Sequence, residues 1–92
     1  MICRLKRGVH RPAAEQRYIY AVSQMYHRLA PANRERIRQL CRQAAPDYEE
    51  ALLEYVTTDC TDVSVTMQYH MSEATLCRAV RRYFAIFPVP LE

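Results

Sequence analysis

A single glycine, Gly8, stands in a chain of 92 residues, and that scarcity constrains the fold more than any other feature. Tight β-hairpins need residues at positive φ, and loops that cradle phosphate need backbone without a Cβ, so both draw on glycine. Hairpin-rich β folds and glycine-loop nucleotide sites are therefore excluded. Half of the residues are apolar and a quarter are charged, which separates the chain from low-complexity, disordered sequences. At this length one domain forms, burying about 60–65% of the surface of the unfolded chain, and a two-domain enzyme with a cofactor cleft does not fit.

The prolines carry the complementary signal. Pro12 opens a run, 12–29, in which Tyr18, Ile19, Val22, Met25, Tyr26 and Leu29 recur three and four apart, the signature of one apolar helix face. Pro31 opens a second helix with Ile37, Leu40, Cys41 and Ala44 inward and Arg34, Arg36, Arg38 and Arg42 mostly outward. Pro46 opens a third, with Tyr48, Ala51, Leu52, Tyr55 and Val56 as its stripe and Asp47, Glu49 and Glu50 at the positive end of the helix dipole. Ser72, a good N-cap, starts the last helix, lined by Leu76, Ala79, Val80, Tyr83, Phe84 and Phe87 and stopped by Pro88 and Pro90.

The stretch 61–70 is ambiguous by local pattern alone. Val63, Val65, Met67 and Tyr69 alternate with polar residues, as in a strand. A lone strand, however, has no partner for its backbone groups, so a short helix is expected there. The sum is an all-α protein of about five helices in a compact bundle. The domain spans 12–87, with a basic arm at 1–11 and a short tail at 88–92.

Cys3, Cys41, Cys60 and Cys77 are scattered, as are His10, His27 and His70, without the close ligand spacing of zinc sites. Reduced thiols in a cytoplasmic protein are expected, two or three of them as small core residues, with no metal and no cofactor. No run of about 18 apolar residues is present to span a bilayer. Glu49 and Glu50 point in different helical directions, and no H-E-x-x-H or G-x-S-x-G motif occurs, so the chain does not read as an enzyme.

The formal charge of +3 is less informative than its distribution. The thirteen basic residues are twelve arginines and Lys6. Residues 1–11 hold Arg4, Lys6, Arg7 and Arg11 and no acid, whereas 47–62 holds six acids (Asp47, Glu49, Glu50, Glu54, Asp59, Asp62) and no base. Arg78, Arg81 and Arg82 make the last helix basic again. If that helix buries Leu76, Ala79, Val80, Tyr83 and Phe84, its opposite face must carry Glu73, Ala74, Cys77, Arg78, Arg81 and Arg82.

The run Ser72-Glu73-Ala74-Thr75-Leu76-Cys77-Arg78-Ala79-Val80 resembles the S-x-x-T-V-S-R-x-L pattern that opens the recognition helix of many bacterial helix-turn-helix regulators. Val65, Thr66 and Tyr69 fall where the motif's first helix packs, and His70-Met71-Ser72 replaces its G-[IV]-S turn. The departures are His70 for the turn glycine and Thr66 for a small alanine. More widely, 31–86 is similar to the tetrahelical module of sigma-factor region 4 as found in small phage and prophage regulators. Its stations here are Leu29 to Ile37, Glu49 to Val56, Val63 to Tyr69 and Ser72 to Val80.

The resemblance implies a helix-turn-helix at about 62–86 that binds duplex DNA and regulates transcription. Arg78 would read guanine O6 and N7, Glu73 would accept from a cytosine amine, and Ala74 or Cys77 would pack on a thymine methyl. Ser72, Thr75, Arg81 and Arg82 would hold phosphates. The first helix offers a face for a homodimer, and the basic arm a strap along the minor groove or the phosphates. The alternative is a small phage-type inhibitor or adaptor of a host nuclease or polymerase, docking through the acidic 47–62 face in place of phosphates.

Overall fold

A computed structural model describes residues 9–91, so the arm residues Arg4, Lys6 and Arg7, and Cys3, lie outside the described residues. The protein is all-helical. Five α-helices follow one another: α1 (Ala13–Gln24), α2 (Pro31–Ala44), α3 (Glu49–Thr57), α4 (Asp62–Gln68) and α5 (Glu73–Ile86), with no strand among the described residues. The prolines act much as their backbone chemistry dictates. Pro12 is the N-cap residue of α1 and Pro31 is the first residue of α2, where the missing N–H has no intrahelical partner to lose.

Two boundaries differ from the sequence reading. The first helix does not run to Leu29; it ends at Gln24, and a 3-10 turn, Tyr26–Arg28, leads to Leu29 in extended conformation. The Met25 N–H is shared between the Ala21 and Val22 carbonyls, which tightens the last turn, and the chain must be extended at Ala30 before Pro31. Met25 is therefore left half exposed rather than on an apolar face. Likewise Pro46 opens a 3-10 turn, Pro46–Tyr48, and the α-helix starts only at Glu49.

The stretch with alternating pattern is helical. In α4, Val65 and Thr66 are buried and Tyr69 half-buried, whereas Val63 and Met67, one helical turn apart, are 55% and 72% exposed. A strand would have placed all four apolar residues on one face. The helix uses only the pair that the core can accept.

Helix α5 packs across α2 and also touches α3 and α4, while α1 lies on α3. The core between them is built from Ile19, Ile37, Cys41, Leu52, Val56 and Val65 with Leu76, Val80, Tyr83, Phe84 and Phe87. The expected inward face of α5 is buried in full. The apolar side of α1 is engaged in this same core: Ile19 is buried, and Tyr18, Tyr20 and Val22 pack against it.

Polar groups inside the core are matched in pairs. The Ser23 hydroxyl donates to the Ile19 carbonyl at 2.7 Å and lies 2.7 Å from the Tyr83 hydroxyl, which donates to it in turn. Tyr83 is therefore a fully buried residue with a satisfied hydroxyl. Burial pushes its phenol well above the ordinary range. No buried side-chain polar atom among the described residues lacks a partner.

The two ends of the domain are tied together by Arg11. Its guanidinium donates to the carbonyls of Phe84 (3.1 Å) and Phe87 at the end of α5, and its Nε bonds Glu15 at 3.0 Å. The Arg11 carbonyl accepts from Gln16 at 3.1 Å. Carbonyls in the last turn of a helix have no intrahelical donor, so Arg11 serves α5 as a C-cap from across the fold. The residue assigned to a DNA-binding arm is part of the scaffold. The segment after α5 is anchored as well: Leu91 is buried and its N–H donates to the Tyr18 hydroxyl at 2.8 Å.

Of the described cysteines, only Cys41 is a core residue; Cys60 is half-buried and Cys77 exposed. Burial pushes the Cys41 thiol from 9.0 up to about 12. Below pH 9 the thiol is neutral in both states and costs nothing; between there and about 12 only the unfolded chain releases the proton, so stability falls as pH rises. Raising the pH from 8 to 10 should therefore cost the wild type about 1 kcal/mol more than Cys41→Ala, read from urea midpoints. Equal losses in the two proteins would contradict the burial.

Candidate functional site

The informative region is the pair α4 and α5 and the turn between them. Each starts at a side-chain cap. Thr61 Oγ1 accepts from the Ser64 N–H at 3.1 Å, and Ser72 Oγ accepts from the Thr75 N–H at 3.1 Å. No side-chain cap bond is found on α1, α2 or α3. Such caps satisfy donors that a helix start leaves open and fix where the helix begins.

The turn resolves the glycine question. His70 has φ 54°, the one positive-φ residue among the described residues, and the Met71 N–H reaches back across it to the Thr66 carbonyl at 3.0 Å. That bond with a left-handed residue inside it is a Schellman closure, the ordinary place for glycine. Met71 is buried, so the turn is also held by an apolar contact on its inner side. Histidine tolerates the left-handed region better than most residues, and its ring is exposed. The Thr66 methyl and hydroxyl fit because the side chain is nearly buried and its Oγ1 donates to the Val63 carbonyl at 3.1 Å. Replacing His70 with Gly should raise stability by up to about 1 kcal/mol, whereas His70→Val should lower it; thermal melts of the two variants that move alike would contradict this geometry.

The residues that the sequence reading proposed all lie on one side of α5. Ser72, Glu73, Ala74, Cys77, Arg78, Arg81 and Arg82 are exposed and Thr75 is half-buried. By helical periodicity Ala74, Arg78, Arg81 and Ala85 form the outermost row, with Cys77 on one flank and Thr75 and Arg82 on the other. The two alanines leave the arginines standing proud of a low surface. Ser72 and Thr75 are partly committed to local bonds, their hydroxyls lying 2.9 Å apart, and Arg78 donates to Thr75 Oγ1 at 3.3 Å. Arg81 and Arg82 have no ion-pair partner among the described residues, and neither has Arg78.

The acidic block behaves differently. Arg38 bonds Glu50 at 2.8 Å and Glu49 at 3.5 Å, and Arg42 bonds Glu49 at 2.9 Å. The hydrogen bond from Arg42 holds the Glu49 carboxyl below the usual carboxylate range. Farther along, Tyr55 donates to Asp62 and Tyr69 donates to Glu54 at 3.2 Å. Exposed ion pairs of this kind add little stability, but they neutralise the charge that α3 would otherwise show outward. The arginines of α2 and the acids of α3 largely balance each other, and α5 keeps its charge.

Beside the Thr75–Arg82 flank runs a shallow groove of about 290 Å³, walled on its other side by Ala44, Ala45, Asp47 and Tyr48. Tyr48 was expected only as part of an apolar stripe. No spacing along the chain could have revealed the groove, because its walls come from segments about 30 residues apart. Among the described residues no cluster of His, Cys, Asp and Glu is arranged to hold a metal ion, and no helix is long and apolar enough to cross a membrane. Compared with protein-family models, with curated proteins and with solved structures, the chain matches none.

Proposed function

We propose that this protein binds duplex DNA through a helix-turn-helix formed by α4 and α5, places α5 in the major groove, and regulates transcription as small phage and prophage regulators do. The observation that carries the reading is the joint one at the turn and on α5. A left-handed His70 closes α4 onto a capped α5, and that helix holds out Arg78, Arg81 and Arg82, none of them in an ion pair among the described residues. In this reading Arg78 reads a base edge together with Glu73, Ala74 and Cys77, while Arg81, Arg82, Ser72 and Thr75 meet phosphates. On the same reading the protein acts in the cytoplasm.

The inhibitor reading is less well supported, since Glu49, Glu50, Glu54 and Asp62 are engaged within the chain and the acidic face is correspondingly muted. Selection from a randomised duplex pool with the purified protein tests the proposal. An enriched sequence is expected, bound with an affinity whose logarithm falls by about 0.9 per neutralised phosphate for each unit of log salt. Two inverted half-sites in that sequence would report a second copy of the chain. No enrichment, together with no duplex binding at low salt, would overturn the reading.

A further inference from the structure

Beyond the reading helix itself, the groove beside α5 has a chemistry of its own. It is continuous with the outward row through Arg78, and Arg82 of α5 and Tyr48 of the α2–α3 connection both line it. Neither the Arg82 guanidinium nor the Tyr48 hydroxyl has a hydrogen-bond partner among the described residues. A guanidinium and a phenol hydroxyl both donate hydrogen bonds, and two such groups lining an open dent suit an anion. The volume, about 290 Å³, lies at the lower limit for enclosing a whole small molecule, so the groove fits one group of a larger ligand.

We propose that this groove seats a phosphodiester of the DNA strand running beside α5, with Arg82 and Tyr48 as its donors. The proposal rests on the DNA reading above and adds Tyr48, from the connection between α2 and α3, as a positioning residue. Asp47 also lines the groove, and its carboxylate opposes an anion. That opposition selects the source of the phosphate. A free phosphate near neutral pH carries about one and a half charges and has nothing else to hold it, whereas a diester carries one and is delivered by the other contacts of α5.

The test measures the full chain on a duplex of the selected sequence and on a scrambled duplex of equal length, across a salt series, with inorganic phosphate added in separate titrations. Tyr48→Phe keeps the ring and should weaken binding about 3- to 10-fold on both duplexes without changing the salt dependence, because no charge is lost. Arg82→Gln should weaken both and flatten the salt slope by about 1, whereas Arg34→Gln, on α2 outside the groove, should change neither by a comparable amount. Asp47→Asn should tighten binding. Unchanged thermal midpoints confirm that the variants are folded.

If Tyr48→Phe binds like wild type and Arg82→Gln like Arg34→Gln, on a duplex that Arg78→Ala still weakens, the groove proposal fails while the DNA reading stands. If the wild type binds no duplex at low salt, both fail. Saturable perturbation of the Tyr48 ring resonances by inorganic phosphate alone would overturn the diester assignment in favour of a free-phosphate site.

Discussion

The double variant Arg78→Ala, Arg81→Ala is expected to lose two to three orders of magnitude in affinity for the selected duplex while keeping its fold. The two residues should fail differently. A bidentate contact to a guanine is worth about 1–3 kcal/mol of discrimination, so Arg78→Ala should relax specificity at one base pair as well as weaken binding. Arg81→Ala should weaken selected and scrambled duplexes alike and reduce the salt slope by about 1. Neither guanidinium supports the core: Arg81 makes no bond among the described residues, and Arg78 bonds only Thr75 on its own helix. Exposed substitutions of this kind shift stability by about 0.5 kcal/mol or less. A double variant that binds within threefold of wild type, with an unchanged melting curve, would remove α5 as the reading helix.

Arg11→Ala is expected to have the largest effect on stability of any charged-to-alanine change among the described residues. It deletes the Arg11–Glu15 pair and, more importantly, leaves the Phe84 and Phe87 carbonyls without their donor in a partly buried place. Hydrogen bonds to a charged group contribute about 1.5–3 kcal/mol, and an orphaned buried acceptor adds its own desolvation cost. A loss of about 2–3 kcal/mol would lower the melting temperature of a domain this size by about 10 °C or more. Arg17→Ala, on the exposed side of α1, is the matched control and should melt within a degree or two of wild type. Equal melting of the two variants would mean that the clasp contributes nothing. The same bond governs how the basic arm is tested: a truncation must stop before Arg11, because removing 1–11 would unfasten α5 and mimic a loss of DNA contact.

The outward face of α5 was legible because one periodicity on one helix decides it. Once Leu76, Val80, Tyr83 and Phe84 are assigned to the core, the positions of Arg78 and Arg81 follow from 3.6 residues per turn. The left-handed turn residue was legible only through the resemblance to the helix-turn-helix pattern, in which His70 stands at the position of the turn glycine. Tyr48 was not legible as a site residue. Its sequence neighbourhood says only that it belongs to an apolar stripe, and its role depends on which helix lies opposite.

By itself, then, the sequence determined the all-helical class, the approximate helix positions and the inward faces of α2, α3 and α5, consequences of proline and glycine backbone chemistry and of apolar spacing within about a dozen residues. The tertiary structure alone decided the partners of the charged and polar groups. Arg11 caps a helix 73 residues away, Ser23 meets Tyr83 across 60, and Arg38 and Arg42 draw in Glu49 and Glu50 from the next helix. A charged side chain carries no local signal of its partner, because the pairing energy depends on distances that exist only after the helices have packed.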